Sequence, residues 1–99
     1  MYAVIYEFKV IQGQEEAFET LWQMVTEGFM QHAGGLGSRL HKTEVGVYIA
    51  YAQWPDKKAW ETAKQKLPKT ATENLQRMNG YCNEITVLFN MYVKNDLLK

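Results

Sequence analysis

The first strand of this chain has no polar face. Between Tyr2 and Ile11, Tyr2, Val4, Tyr6, Phe8 and Val10 fall on one side and Ala3, Ile5 and Ile11 on the other, interrupted only by Glu7 and Lys9. A strand with one wet face alternates apolar and polar residues; a strand apolar on both sides demands cover on both. Val47 to Trp54 repeats the pattern, with Val47, Ile49 and Tyr51 alternating against Tyr48, Ala50, Ala52 and Trp54. Ile85 to Val93 does so again, with Ile85, Val87, Phe89, Met91 and Val93 on one side and Leu88 and Tyr92 on the other. β-Branched and aromatic residues dominate all these runs, as strands favour.

Helical periods separate the strands. After the break at Gln12-Gly13-Gln14, Phe18, Leu21, Trp22, Val25 and Phe29 form a single helical stripe between Gln14 and His32. Glu15, Glu16 and Glu19 occupy its opening turns, where the helix dipole favours negative charge. Gly34-Gly35 stops it. Leu36 to Thr43 reads as a second strand, with Leu36, Ser38 and Leu40 opposite Arg39, His41 and Thr43, and Glu44-Val45-Gly46 as the hairpin turn into the third. A helix is predicted from Asp56 to Gln65, with Ala59, Trp60 and Ala63 inward, ended or kinked by Pro68. A shorter one follows from Thr70 to Met78, and Asn79-Gly80 marks a turn.

The resulting order, strand–helix–strand–strand–helix–strand, is the split βαβ pattern of an α+β, ferredoxin-like βαββαβ fold with a four-stranded antiparallel sheet. Right-handed crossovers put the helices on one face of that sheet. The other face then lacks cover, and Ile5, Tyr48, Leu88 and Tyr92 are the residues expected on it. Leaving such a patch wet forfeits several kcal/mol at roughly 25 cal/mol per Å², and large apolar patches are uncommon on monomers. A second copy packed sheet against sheet about a two-fold axis is the simplest remedy, so a homodimer is expected. The alternative is a monomer whose outer face is wetted by Glu7, Lys9, Thr86 and Asn90.

Composition narrows the function. With 11 Lys+Arg against 11 Asp+Glu, the chain has no basic excess to hold nucleic acid or an anionic membrane. No apolar run reaches the roughly 20 residues of a membrane helix, and Met1 to Glu7 carries neither a basic leader nor a cleavage site, so a cytoplasmic location is expected. The sole cysteine, Cys82, excludes an internal disulfide, and His32, His41 and Cys82 lack metal-site spacing. Gly34-Gly35-Leu36-Gly37 precedes a strand rather than a helix, so it is a turn and not a phosphate loop. With no repeat, linker or low-complexity tract, residues 1–99 are expected to form one domain.

Three segments resemble the antibiotic biosynthesis monooxygenase domain of the dimeric α+β barrel superfamily. They are the opening strand and break from Tyr2 to Gly13, the run Gly34-Gly35-Leu36-Gly37-Ser38-Arg39-Leu40-His41, and Tyr48 to Trp60, in which a strand ends in Trp54, an acidic turn follows at Asp56, and Trp60 lies one turn into a helix. The resemblance implies a dimeric α+β barrel. It also implies a cofactor-independent monooxygenase in which an electron-rich phenol or hydroquinone is deprotonated and itself reduces dioxygen, with no metal or flavin. The haem-degrading branch uses an Asn in the first strand, a Trp in the second helix and a His after it. Here Tyr6 and Ala63 stand at the first two positions and no His follows His41, which disfavours that activity.

The candidate catalytic residues are His41, as a general base on a strand, and Tyr6, as a polar handle. The plainer reading of His41 is a partly exposed strand histidine beside Arg39. Trp22, Phe29, Trp60 and Phe89 are candidates to line an aromatic pocket for a small aromatic molecule between helices and sheet, with Asn90 as a second polar handle. Ordinary core packing competes for Trp22 and Phe29, and the dimer seam competes for Asn90. The lysines at 57, 58, 64, 66 and 69 read either as an anion-binding face or as a solvated helix surface diluted by Asp56 and Glu61. A non-catalytic dimeric binding or regulatory module of the same fold is the alternative function.

Overall fold

The computed structural model describes residues 1–98. The elements are β1 (Tyr2–Val10), α1 (Glu15–His32), β2 (Gly37–Lys42), β3 (Val47–Trp54), α2 (Lys57–Glu61), a 3₁₀ turn (Ala63–Lys66), α3 (Lys69–Gly80) and β4 (Cys82–Tyr92). The strands form one four-stranded sheet in the order β2-β3-β1-β4, with every neighbouring pair antiparallel. This is the expected ferredoxin-like architecture.

The inner face of the sheet packs against the helices. Phe8 and Tyr48 sit under Phe18, Leu21 and Val25 of α1, with the Phe18 ring tilted against both rings at centroid distances of 5.1 and 5.0 Å. A second cluster joins Tyr2, Val4 and Trp54 to Ala33 and Ala63. Between α1 and α3 the backbones come close at Gly28, where an added Cβ would meet Ala71 Cβ at 3.5 Å.

The helix expected from Asp56 to Gln65 is broken. Asp56 caps α2 by accepting from Ala59 N at 2.8 Å, but α2 ends at Glu61. The Thr62 hydroxyl donates back to the Lys58 carbonyl at 2.9 Å, a local bond that competes with helix continuation. Ala63 is drawn onto Tyr2, Val4 and Trp54, and the tighter 3₁₀ turn follows. In contrast α3 is longer than expected, running to Gly80.

The face assignment of β4 also differs from the alternation in sequence. Ile5 pairs with Phe89 but Tyr6 pairs with Val87, so Leu88 is the extra residue of a β-bulge. A one-residue slip exchanges the faces. Val87 and Ile85 therefore lie on the helix side beside Tyr6 and Phe8, and Phe89 and Met91 lie on the outer side beside Ile5 and Ala3. Two residues expected on the outer face are not there. Tyr48 is 1% exposed beneath α1, and Tyr92 meets the ring of inward-facing Tyr2 edge-on at 5.1 Å. The apolar outer face consists instead of Ile5 flanked by Tyr51 and Phe89, with Ile49 and Met91 nearby.

Candidate functional site

Sequence creates a void on the inner face of β3. Along its inward side run Tyr48, Ala50, Ala52 and Trp54, so two small residues separate two large ones. A cavity of about 340 Å³ results, floored by Tyr6, Phe8, Ala50 and Ala52 and roofed by Trp22, Val25 and Phe29 of α1. Leu75 and Met78 of α3, with Val87 of β4, close the far side. A cavity of about 150 Å³ suffices for one benzene, so this one has room for fused rings.

Few polar groups enter it, and their pairing is informative. The Trp60 indole N–H donates to the Tyr6 hydroxyl oxygen at 2.8 Å. The phenol thus has an accepting lone pair filled while its own hydrogen remains free to donate. Burial raises the Tyr6 pKa above the ordinary tyrosine value, with the Trp60 hydrogen bond opposing in part. Tyr6 therefore holds its proton at neutral pH. Trp54 also lines the cavity; it is 4% exposed, and its indole Nε1–H has no acceptor among the described residues. A buried donor without a partner costs about 1–3 kcal/mol, and this nitrogen is fully buried. The Ser38 hydroxyl is engaged with the Tyr51 carbonyl at 2.8 Å, while Thr26, Lys64 and Asn79 stand at the margins. No Asp, Glu or His is among the described lining residues.

The candidates read from sequence separate into three places. Tyr6, Trp22 and Phe29 line the cavity. Trp60 stands behind Tyr6 and fixes its phenol, with its ring 5.8 Å from that of Tyr2. Asn90, opposite Val4 on edge strand β4, is exposed and outside the lining. The structure does not bring His41 or Phe89 to the cavity. His41 pairs with Ile49 on the outer face, where its Nδ1 lies 3.0 Å from the Ile49 carbonyl. Phe89 is turned outward by the bulge and is 61% exposed. Sequence reasoning missed Trp54 as a site residue, although its alternation with Tyr48 across Ala50 and Ala52 signals both its direction and the void beside it.

Among the described residues no group of three His, Cys, Asp or Glu side chains is placed to hold a metal ion, and no helix is long and apolar enough to cross a membrane.

Sheet order and helix placement define an α+β protein of ferredoxin-like topology with a ring-sized cavity between helices and sheet. The sequence model described as antibiotic biosynthesis monooxygenase matches residues 1–67, and the chain belongs to that family. Its fold is similar to that of a crystallised antibiotic biosynthesis monooxygenase (18% identity, 96% of this chain and 100% of the other, TM-score 0.75). It is also similar to SnoaB, a cofactor-independent oxygenase from Streptomyces nogalater (16% identity, 99% and 97% covered, TM-score 0.76). A third similar structure is Rv0793 from Mycobacterium tuberculosis (11% identity, 98% of each chain, TM-score 0.76). No curated protein matches the chain.

Proposed function

We propose that this protein is a cofactor-independent monooxygenase acting on a small aromatic or quinol-type substrate between helices and sheet. The observation that carries this reading is the Tyr6 O–H, held by Trp60 and free to donate, in a largely apolar cavity of ring size. Such a donor suits a ring bearing a carbonyl or phenolic oxygen, and it stabilises negative charge as it grows on that oxygen. The substrate supplies the electrons. An activated ring methylene takes one oxygen atom of dioxygen to become a carbonyl, and its two hydrogens leave with the other atom as water. The protein's part is orientation and exclusion of solvent by Trp22, Phe29 and Met78.

Oxygen uptake with a panel of hydroquinones and anthrones tests the proposal. Uptake well above autoxidation supports it, and uptake equal to buffer across the panel removes it. The lack of a lining carboxylate or histidine favours one other reading, a non-catalytic binding module of the same fold. In that case the rings bind and no oxygen is consumed.

The working unit in this proposal is a homodimer. The row Tyr51–Ile5–Phe89, with Ile49 and Met91, leaves an apolar patch that a second sheet would cover. Phe89 then belongs to the seam between subunits.

A further inference from the structure

We propose that the ligand is an aromatic carboxylate whose charged end meets Lys64 at the cavity mouth while a ring oxygen faces the Tyr6 hydroxyl. This inference deepens the proposed function and rests on the same cavity. Three observations carry it. First, the neutral chain is polarised. Helix α1 holds Glu15, Glu16, Glu19 and Glu27 with no Lys or Arg, whereas residues 56–69 hold five lysines against Asp56 and Glu61. Second, Lys64 is the one lysine of that group lining the cavity, and it makes no ion pair among the described residues. Its position follows from packing, because buried Ala63 anchors the 3₁₀ turn on Tyr2, Val4 and Trp54 and carries the next residue to the rim. Third, the Tyr6 hydroxyl in the cavity keeps a hydrogen to donate, and the described lining has no acidic side chain. A donor inside, a cation at the mouth and no anion between them select a ligand with an acceptor oxygen and one negative charge. The apolar walls strengthen that attraction by lowering the local dielectric.

The test compares 6-hydroxy-2-naphthoate with neutral 2-naphthol by isothermal titration calorimetry at pH 7.5. The wild-type protein is expected to bind the naphthoate about fivefold more tightly, the scale of a partly exposed ion pair, with the preference shrinking in high salt. Lys64→Gln removes the preference, read as the ratio of the two affinities; Lys64→Glu inverts it; Lys57→Gln, an exposed lysine outside the lining, retains it. Equal wild-type affinity for the two probes, or a preference that survives Lys64→Gln, overturns the inference, as does failure of both probes to bind. Its failure is distinct from failure of the oxygenase reading. A Lys64-dependent preference without any oxygen uptake sinks the activity alone. Uptake on neutral quinols without a charge preference sinks the carboxylate alone.

Discussion

Tyr6 accepts from Trp60 and keeps a hydrogen to give, so one side chain joins the core to the cavity. Tyr6→Phe strands the Trp60 N–H and removes the donor. Urea unfolding should show a loss of about 1 kcal/mol, and quinol-dependent oxygen uptake should fall about tenfold, the rate equivalent of one lost hydrogen bond. Trp54→Phe should act in the opposite sense on the free protein. It deletes a buried donor that has no partner, so stability holds or rises by about 1 kcal/mol. A loss of stability in urea unfolding would mean that the indole N–H is already satisfied. No carboxylate or histidine lines the described cavity, so the proposed oxygenase reaction assigns proton removal to the substrate's own acidity. The rising limb of kcat/KM with pH should therefore move with the substrate when two quinols of different pKa are compared. A fixed limb near the ordinary histidine value of about 6.5 would oppose this.

At the scale of elements, β3 and β4 decide the site. The alanines of β3 make the void, and filling it tests whether the void is where ligands bind. Ala52→Leu places a branched side chain into open space, so the melting temperature should stay within a few degrees while naphthol binding is lost. Large destabilisation would instead indicate overpacking against a filled interior, which costs about 1–3 kcal/mol. The bulge at Leu88 hands Ile85 and Val87 to the helix side and Phe89 to the outer side. No alternation in the sequence marks this. The run Ile85, Val87, Phe89, Met91 reads as one face because a period of two is the only signal present, and the extra residue is legible only in the pairing with β1. The break at Thr62 is similar: the sequence from Asp56 to Gln65 has a helical face, but burial of Ala63 outweighs it.

For the whole molecule, two properties follow from burial. The outer apolar row should hold two copies together, so sedimentation should give a dimer, and Phe89→Glu should yield a folded monomer. A monomeric wild-type protein at high concentration would remove the dimer proposal. Stability should also decline in alkali. Burial raises the Tyr6, Tyr48 and Cys82 pKa values, with Glu19 adding to the rise at Tyr48 as acceptor of its hydroxyl hydrogen and Cys82 moving from 9.0 to about 11. The unfolded chain releases these protons first, so their stabilisation is complete below the ordinary values and fades as pH climbs toward the folded ones. Urea midpoints should fall steadily above pH 9, and Cys82→Ser should remove the part between 9 and about 11. A flat profile would contradict this account.

The order of elements, the stripe of α1, the exact span of β3 and the inward set of β1 were legible in the sequence, because period and turn chemistry are local properties. So was the demand for cover on two faces. The separation of His41 and Phe89 from Tyr6 was not, since it depends on which strand lies beside which and on one unpaired residue in β4. Nor was the idle N–H of Trp54, because a donor becomes unpaired only when every surrounding atom has been placed. Local pattern determined the elements of this protein; the tertiary structure alone decided which of its side chains share a cavity, because that depends on contacts between residues far apart in the chain.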